Sequence, residues 1–234
     1  MRCPVIIGFG GRSFETSVGW DEIKLASFAN MGKIMAQNSS VPTVFILNEV
    51  EDLEIINKGM RLGFNSVMFD GSSFPVEEDI KLTRRVVKQA AKKGIDVEGQ
   101  VGRIPSTGER IEKNFLTSPQ EAAYFVEKTG VSALAISVGN IHMAMDEESP
   151  IDLDLLEEIN RLTGVPLVIH GGTGFPDALV KEVINRGVCK FNVGTILKEV
   201  FLREVKKTLE KINLSKADFQ ELLGSNSQMD IFEK

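Results

Sequence analysis

The chain has 234 residues, a formal net charge of −6 at pH 7 and 42% hydrophobic residues. This composition is typical of a globular protein with a large core, and the acidic balance argues against nucleic acid or an anionic membrane as a partner. There are only two cysteines, Cys3 and Cys189, and no apolar run reaches the about 18 residues of a membrane span, so we expect a soluble cytoplasmic protein. We expect a single domain over residues 1–234, with a polar tail from about residue 225.

Short apolar runs alternate with amphipathic helical patterns along almost the whole chain. The pattern predicts seven strands, which begin near residues 4, 41, 65, 95, 131, 165 and 188. It predicts helices at residues 20–36, 52–62, 76–93, 119–128, 152–162, 176–185, 196–212 and 215–223. Such an alternation favours a parallel sheet covered by helices. The polar residues 103–116 interrupt it and are expected to form a mobile loop that covers a site.

Polar side chains follow nearly every predicted strand. They are Asn48, Glu49, Asp70, Gln100, Asn140, His142, His170 and Asn192. Functional side chains that converge from many strand ends are typical of a barrel, so the predicted fold class is α/β, with a TIM-type (β/α) barrel. A complete barrel has eight units in about 250 residues, and the predicted one has only seven strands.

The segment 165–173 carries the sharpest local signal. The apolar strand Leu167–Ile169 ends in His170, and two glycines follow. Gly171 and Gly172 permit a tight turn and let backbone N–H groups approach an anion. The alternative interpretation is a histidine with an ordinary structural role, followed by glycines that only make the turn.

Six motifs resemble the class II, metal-dependent ketose-bisphosphate aldolases, with the fructose- and tagatose-bisphosphate aldolases as the nearest branch. The motifs lie at residues 67–72, 97–102, 125–131, 139–142, 167–174 and 190–195. The resemblance implies reversible aldol cleavage of a ketose phosphate to dihydroxyacetone phosphate and an aldehyde. It also implies a divalent metal and a homo-oligomer. Family members carry a strand and a helix before the segment that matches Met1, so the predicted barrel lacks its first β-α unit.

The resemblance implies a zinc site, with His142 and His170 as two of its ligands. The third family ligand is a histidine, and Glu49 stands at its position here. A His₂Glu set still suits catalytic zinc or another divalent ion. Asp70 and Gln100 match two further metal-site positions of the family, which has a glutamate in place of Gln100. The alternative for Asp70 is a structural role in a turn or a helix cap.

The resemblance assigns the substrate phosphate to two loops, Gly171–Thr173 and Asn192–Thr195. The second loop comprises Asn192, Val193, Gly194 and Thr195 and runs into a predicted helix, whose N-terminus suits a dianion. The alternative for both loops is a turn without a ligand. Met143 stands where the family has a glycine that helps hold the substrate, so we expect a narrower pocket.

The resemblance also assigns two proton-transfer positions. Asn48 replaces a family aspartate that passes a proton to or from the oxygen formed when the carbon–carbon bond breaks. An amide can donate a hydrogen bond but cannot turn over a proton. Glu109 is the candidate for the family's general base on the mobile loop, and its alternative is a solvated charge. Glu98 matches another family carboxylate, for which a structural role and a functional one are both open.

These residues leave three hypotheses for function. The first is a metal-dependent aldolase. The second is a catalytically impaired relative that binds a sugar phosphate or a metal, or that serves as an assembly subunit, because Asn48, Glu49 and Gln100 depart from the family pattern. The third is a lyase or epimerase that acts on a related phosphate without an aldol step.

Overall fold

Seven parallel strands form one sheet in the computed structural model, which describes residues 3–17, 19–106, 108–109, 112–142, 150–213 and 218–225. The strands, in chain order, are β1 (Val5–Gly10), β2 (Thr43–Val50), β3 (Ser66–Phe69), β4 (Asp96–Val101), β5 (Ala133–Ile136), β6 (Leu167–Ile169) and β7 (Val188–Phe191). Each strand pairs in parallel with the next one along the chain. The predicted α/β class and parallel sheet are therefore confirmed.

A helix lies between each pair of successive strands, as the alternation predicts, and two further helices follow the last strand in the described part of the chain. They are α1 (Glu22–Gln37), α2 (Leu53–Leu62), α3 (Val76–Ala91), α4 (Pro119–Thr129), α5 (Leu153–Thr163), α6 (Val180–Asn185), α7 (Thr195–Glu210) and α8 (Phe219–Leu222). Short side chains cap several of them. Asp52, Ser118 and Asp152 accept backbone N–H groups at the starts of α2, α4 and α5, which satisfies donors that have no partner within the helix.

Some element boundaries differ from the predictions. A 3-10 turn occupies Asp177–Leu179, so α6 begins at Val180, later than predicted. Strand β2 continues to Val50, and a short hairpin formed by Glu15–Thr16 and Gly19–Trp20 follows β1. The start of the last predicted helix and most of the predicted polar tail, residues 226–234, lie outside the described residues.

The sheet has two unlike faces. One face and the covering helices form the main core, in which Phe45, Phe125 and Leu134 are almost fully buried. On the other face, Ile46, Met68, Ala135 and Val168 form a small separate cluster. These four side chains come from β2, β3, β5 and β6, and strands that are not neighbours bring side chains together in this way only if the sheet curls. The inner cluster therefore corresponds to part of a barrel interior.

The two outer strands of the sheet are β1 and β7, and within the described part of the chain each pairs with one neighbour. Apolar side chains are exposed on the helices that flank them. Ile34 of α1 is 61% exposed, and Leu197 and Leu202 of α7 are 63% and 64% exposed. None of the residues of α7 is buried. No helix among the described residues has the length and the apolar character needed to cross a membrane.

Candidate active site

A cavity of about 600 Å³ lies at the carboxyl ends of the strands and brings most of the predicted site residues together. Its lining includes Asn48, Glu49, His142, His170, Gly171, Thr173, Asn192, Val193, Gly194 and Thr195. Ser106, Lys190 and Lys198 line it as well, although the sequence pattern did not single them out. A second cavity of about 550 Å³ lies between α3 and α4 and has none of the predicted site residues in its lining.

Three side chains in the main cavity form a group that could hold a metal ion. Glu49, His142 and His170 each offer a ligand atom, and these atoms lie within 4.8 Å of one another. Two imidazole nitrogens and one carboxylate oxygen are an established ligand set of catalytic zinc, which leaves one coordination position for substrate. The donor set therefore fits a divalent ion of this type.

Glu49 reaches this group because of an irregularity in β2. The register between β2 and β3 shifts between Leu47 and Val50, and Glu49 has a φ of +52°. A positive φ is uncommon in residues other than glycine. A bulge near an active site changes the direction in which a side chain points. The bulge places the Glu49 carboxylate oxygen Oε1 2.7 Å from Nδ1 of His170.

His170 lies between two carboxylates and is only 1% exposed. Its Nδ1 contacts Glu49, and its Nε2 lies 2.9 Å from Oε1 of Glu98. Burial opposes the charged imidazolium, yet the two carboxylates outweigh it and raise the pKa of His170 to about 9. Asn140 fixes the backbone at this point, since its buried amide donates to the carbonyl oxygen of His170 at 2.8 Å.

Glu98 and Lys190 form a buried ion pair next to His170. Burial alone would raise the pKa of Glu98, but the hydrogen bond from His170 and the charge of Lys190 lower it below its usual value. The sequence alone left the role of Glu98 open and gave no role to Lys190. One signal was available, because Lys190 and Asn192 alternate along β7 and its end and so face the same side as the site.

The two predicted phosphate loops lie side by side. The N–H of Gly172 donates to the carbonyl oxygen of Asn192 at 3.0 Å, and Thr173 Oγ1 accepts the N–H of Ile196 at 3.3 Å. Gly171 has a φ of +74°, and a Cβ there would lie 2.2 Å from the carbonyl oxygen of Ile141. The loop can therefore take this course only with glycine at position 171.

Helix α7 begins at the same place, directly after the second loop. Its N-cap, Gly194, provides no side-chain hydrogen bond to the first turn. The first turn of a helix carries partial positive charge, and Lys198 adds a formal positive charge to the same cavity. This end of the cavity has the features of an anion site.

Other predicted residues make local contacts. Asp70 accepts the N–H of Ser72 at 3.1 Å, which is the turn role left open for it. Gln100 donates to the carbonyl oxygen of Gly102 at 3.4 Å. Neither belongs to the group formed by Glu49 and the two histidines. Met143 lies outside the described residues, so its predicted effect on the pocket stays a prediction.

Asn48 lines the cavity, and its Oδ1 is buried without a hydrogen-bond partner among the described residues. A buried acceptor without a partner is costly, which makes this oxygen a ready acceptor for a hydroxyl group of a bound ligand. An amide cannot release a proton and take it up again in each catalytic cycle, so Asn48 cannot act as an acid or a base.

The predicted covering loop contacts the site near its start. Ser106 forms an isolated bridge with His142, and the Arg103 guanidinium packs 4.4 Å from the ring centroid of Phe115. Glu109 accepts two hydrogen bonds from Arg103, both at 3.1 Å, and its side chain is 44% exposed. The candidate base is thus paired with a cation, and it is not among the residues that line the cavity.

Comparisons with known proteins agree with this geometry. The sequence profile of the family "Fructose-bisphosphate aldolase class-II" matches residues 1–231. A sulfofructosephosphate aldolase from Alkalicoccus urumqiensis is 36% identical over 214 residues, which are 90% of this chain and 72% of the relative.

Solved structures show the same barrel-type fold. The YdjI aldolase from Escherichia coli K12 aligns with a TM-score of 0.73 and 33% identity, over 91% of this chain and 73% of that one. A fructose-bisphosphate aldolase from Campylobacter jejuni aligns with a TM-score of 0.71 over 89% of this chain and 69% of that one, and at 21% identity its likeness concerns the fold alone. The predicted resemblance is confirmed, and the chain belongs to the class-II fructose-bisphosphate aldolase family.

Proposed function

We propose that this protein catalyses reversible aldol cleavage of a ketose phosphate to dihydroxyacetone phosphate and an aldehyde, with zinc or another divalent ion. One observation carries the proposal. A three-residue group suited to a divalent ion, Glu49, His142 and His170, shares a cavity with the glycine-rich loops and the start of α7. An aldol cleavage of this kind needs an electrophile at the ketone and a site for the phosphate in one place.

Each part of the cavity has a separate task in this proposal. The loops Gly171–Thr173 and Asn192–Thr195 bind the phosphate dianion through backbone N–H groups and the end of α7. A divalent ion bound by Glu49 and the two histidines would polarise the ketone carbonyl.

In the direction of addition, Glu109 is proposed to remove the carbon-bound proton of dihydroxyacetone phosphate. Asn48 is proposed to donate a hydrogen bond to the aldehyde oxygen, which takes its proton from water as the carbon–carbon bond forms, and cleavage reverses these steps. Glu109 must first leave Arg103, so substrate binding and movement of the covering loop are coupled in this account.

Asn48 favours a second candidate function, that of a relative that binds a sugar phosphate and metal with impaired cleavage. The amide cannot take over the proton-transfer role that the family's aspartate has at this position. Glu49 adds negative charge next to the ion, which weakens it as a Lewis acid. Both changes oppose catalysis and leave binding in place.

Two assays separate these functions. The first offers a panel of ketose phosphates, including bisphosphates and a sulfonated ketose phosphate, with zinc or cobalt, and identifies every product. Release of dihydroxyacetone phosphate supports the aldolase, and a rearranged sugar phosphate supports an epimerase. The second assay repeats the panel with the double variant Asn48→Asp, Glu49→His. Cleavage that appears only in the variant would assign the binding function to the natural chain.

The assembly of the protein is a further part of the proposal. We propose that two or more copies associate through the exposed apolar faces of α1 and α7, which include Ile34 and Leu202. Sedimentation of the natural chain and of Leu202→Glu tests this, with Lys206→Glu as a control on the same helix.

We propose the cytoplasm as the location of the protein. Cys3 and Cys189 are free and exposed, which suits a reducing compartment.

A further inference from the structure

We infer that Glu98 and Lys190 are positioning residues, which hold the His170 ring so that Nδ1 faces the metal group and Nε2–H donates to Glu98. The inference rests on the proposed function, because it concerns how this chain prepares the proposed metal site. Neither residue lies in the three-residue metal group.

The two edges of the His170 ring face different surroundings. Nδ1 lies 2.7 Å from Oε1 of Glu49, which belongs with His142 to the metal group. Nε2 lies 2.9 Å from Oε1 of Glu98, which is only 3% exposed. The Nδ1 edge therefore faces the metal group and can offer a lone pair to an ion that displaces its hydrogen. The Nε2 edge faces a buried carboxylate, and Nδ2 of Asn192 lies 3.1 Å from Nε2 and 3.4 Å from Nδ1.

Lys190 decides what Glu98 can do in this position. Lys190 forms an ion pair with the second oxygen of Glu98, Oε2, and this contact holds the carboxylate with its first oxygen toward Nε2 of His170. An ionised carboxylate accepts hydrogen bonds only, and it therefore selects the tautomer of His170 with a hydrogen on Nε2.

All three side chains stand on the sheet or at its ends. Glu98 lies on β4, Lys190 lies on β7, and His170 directly follows β6. The Lys190 side chain is 11% exposed and the Glu98 side chain 4%. Groups on strands keep their geometry better than groups on loops, and outer partners of a metal-binding histidine fix its ring orientation.

The test compares metal binding of the natural chain with that of the double variant Glu98→Gln, Lys190→Met. This pair of changes removes both charges and nearly conserves volume, so no lone charge is left buried. The control is Lys181→Met, an exposed lysine of α6 that does not line the cavity. The readouts are the zinc dissociation constant, from competition with a chromophoric chelator, and the visible absorption spectrum of the cobalt-loaded protein. Thermal melting of the metal-free proteins reports on stability separately.

We expect the double variant to bind zinc about 10- to 100-fold more weakly and to change the cobalt spectrum, while Lys181→Met does neither. An unchanged dissociation constant and spectrum in the folded double variant would overturn the inference and leave the proposed function intact. Failure of the natural chain to bind any divalent ion would overturn both. If the double variant does not fold, Lys190→Met alone is measured, with weakening in the same direction as the expected result and unchanged affinity as the contradicting one.

Discussion

The two ends of the cavity are formed by different groups, side chains at one end and backbone at the other. At the metal end, side chains from several strands form the site, and a buried histidine contacts two carboxylates. At the phosphate end, backbone groups of two loops and the start of α7 form the site. The metal end departs from the family pattern at Asn48 and Glu49, whereas the phosphate end keeps its glycines. A site made of side chains changes its chemistry with single substitutions, whereas a site made of backbone depends on the conformation of its loops.

The first prediction compares the two histidines at the metal end. His170→Ala removes the shared partner of Glu49 and Glu98, so we expect loss of measurable metal binding and a loss of stability of about 3–5 kcal/mol, because two carboxylates lose their partner. His142 is only partly buried. His142→Ala should therefore abolish metal binding with a much smaller loss of stability. Urea unfolding and metal titration of both variants check this. Equal destabilisation by the two changes would contradict the picture of a buried network around His170.

The second prediction concerns the covering loop, which both ends share. If Glu109 is the base, Glu109→Gln should reduce turnover by about 10²- to 10⁴-fold, the usual contribution of general base catalysis. Glu112 is an exposed glutamate of the same loop, and Glu112→Gln serves as the matched control with unchanged turnover. The measurement is kcat on the best substrate of the panel. Equal rates for the two variants would assign Glu109 to the ion pair with Arg103 alone.

The third prediction tests the backbone character of the phosphate end. Gly171→Ala places a Cβ 2.2 Å from the Ile141 carbonyl oxygen at a φ of +74°. We expect a stability loss of about 1–3 kcal/mol and weaker phosphate binding. Gly94→Ala is the control, because Gly94 also has a positive φ, +63°, but its Cβ meets nothing within 4 Å and it does not line the cavity. Denaturant unfolding and phosphate titration should separate the two variants, and identical behaviour would show that this loop tolerates a side chain.

The smallest effect is expected at a carboxylate that belongs to neither end. Burial raises the pKa of Asp79 to about 6; a hydrogen bond from Thr83 lowers it, and the charge of Asp70 raises it. A raised pKa means that the folded state prefers the protonated form, so the stability penalty is absent below the unfolded pKa of about 3.9 and fully present above pH 6. The melting temperature of Asp79→Asn, relative to that of the natural chain, should therefore increase as the pH rises from 4 to 7. A constant difference would contradict the raised pKa.

Much of the fold follows from local patterns. The alternation of apolar runs with helical segments predicts the seven parallel strands, because strands buried on both faces are continuously apolar. The ends of β2, β6 and β7 supply Glu49, His170 and Asn192, and the parallel arrangement predicts their convergence.

Other features depend on contacts that no local pattern encodes. The positive φ of Glu49 occurs without glycine, and it is set by the bulge against β3. Glu98 and Lys190 are 92 residues apart in the chain, and each alone is simply a charge within a strand. The pairing of Arg103 with Glu109 is local, but it depends on a loop conformation that the polar composition of the loop does not determine. Long-range ion pairs and strained turns therefore escaped prediction, and both lie at the site.

The most direct test of the account is hydrogen exchange at the hydroxymethyl carbon of dihydroxyacetone phosphate in D₂O. The exchange is followed by NMR with the zinc-loaded protein, and again after addition of chelator. It requires both ends of the cavity but no knowledge of the aldehyde. The account predicts exchange that depends on the metal and disappears in His170→Ala. Absence of exchange from a folded protein with zinc bound would contradict an aldolase that acts through dihydroxyacetone phosphate.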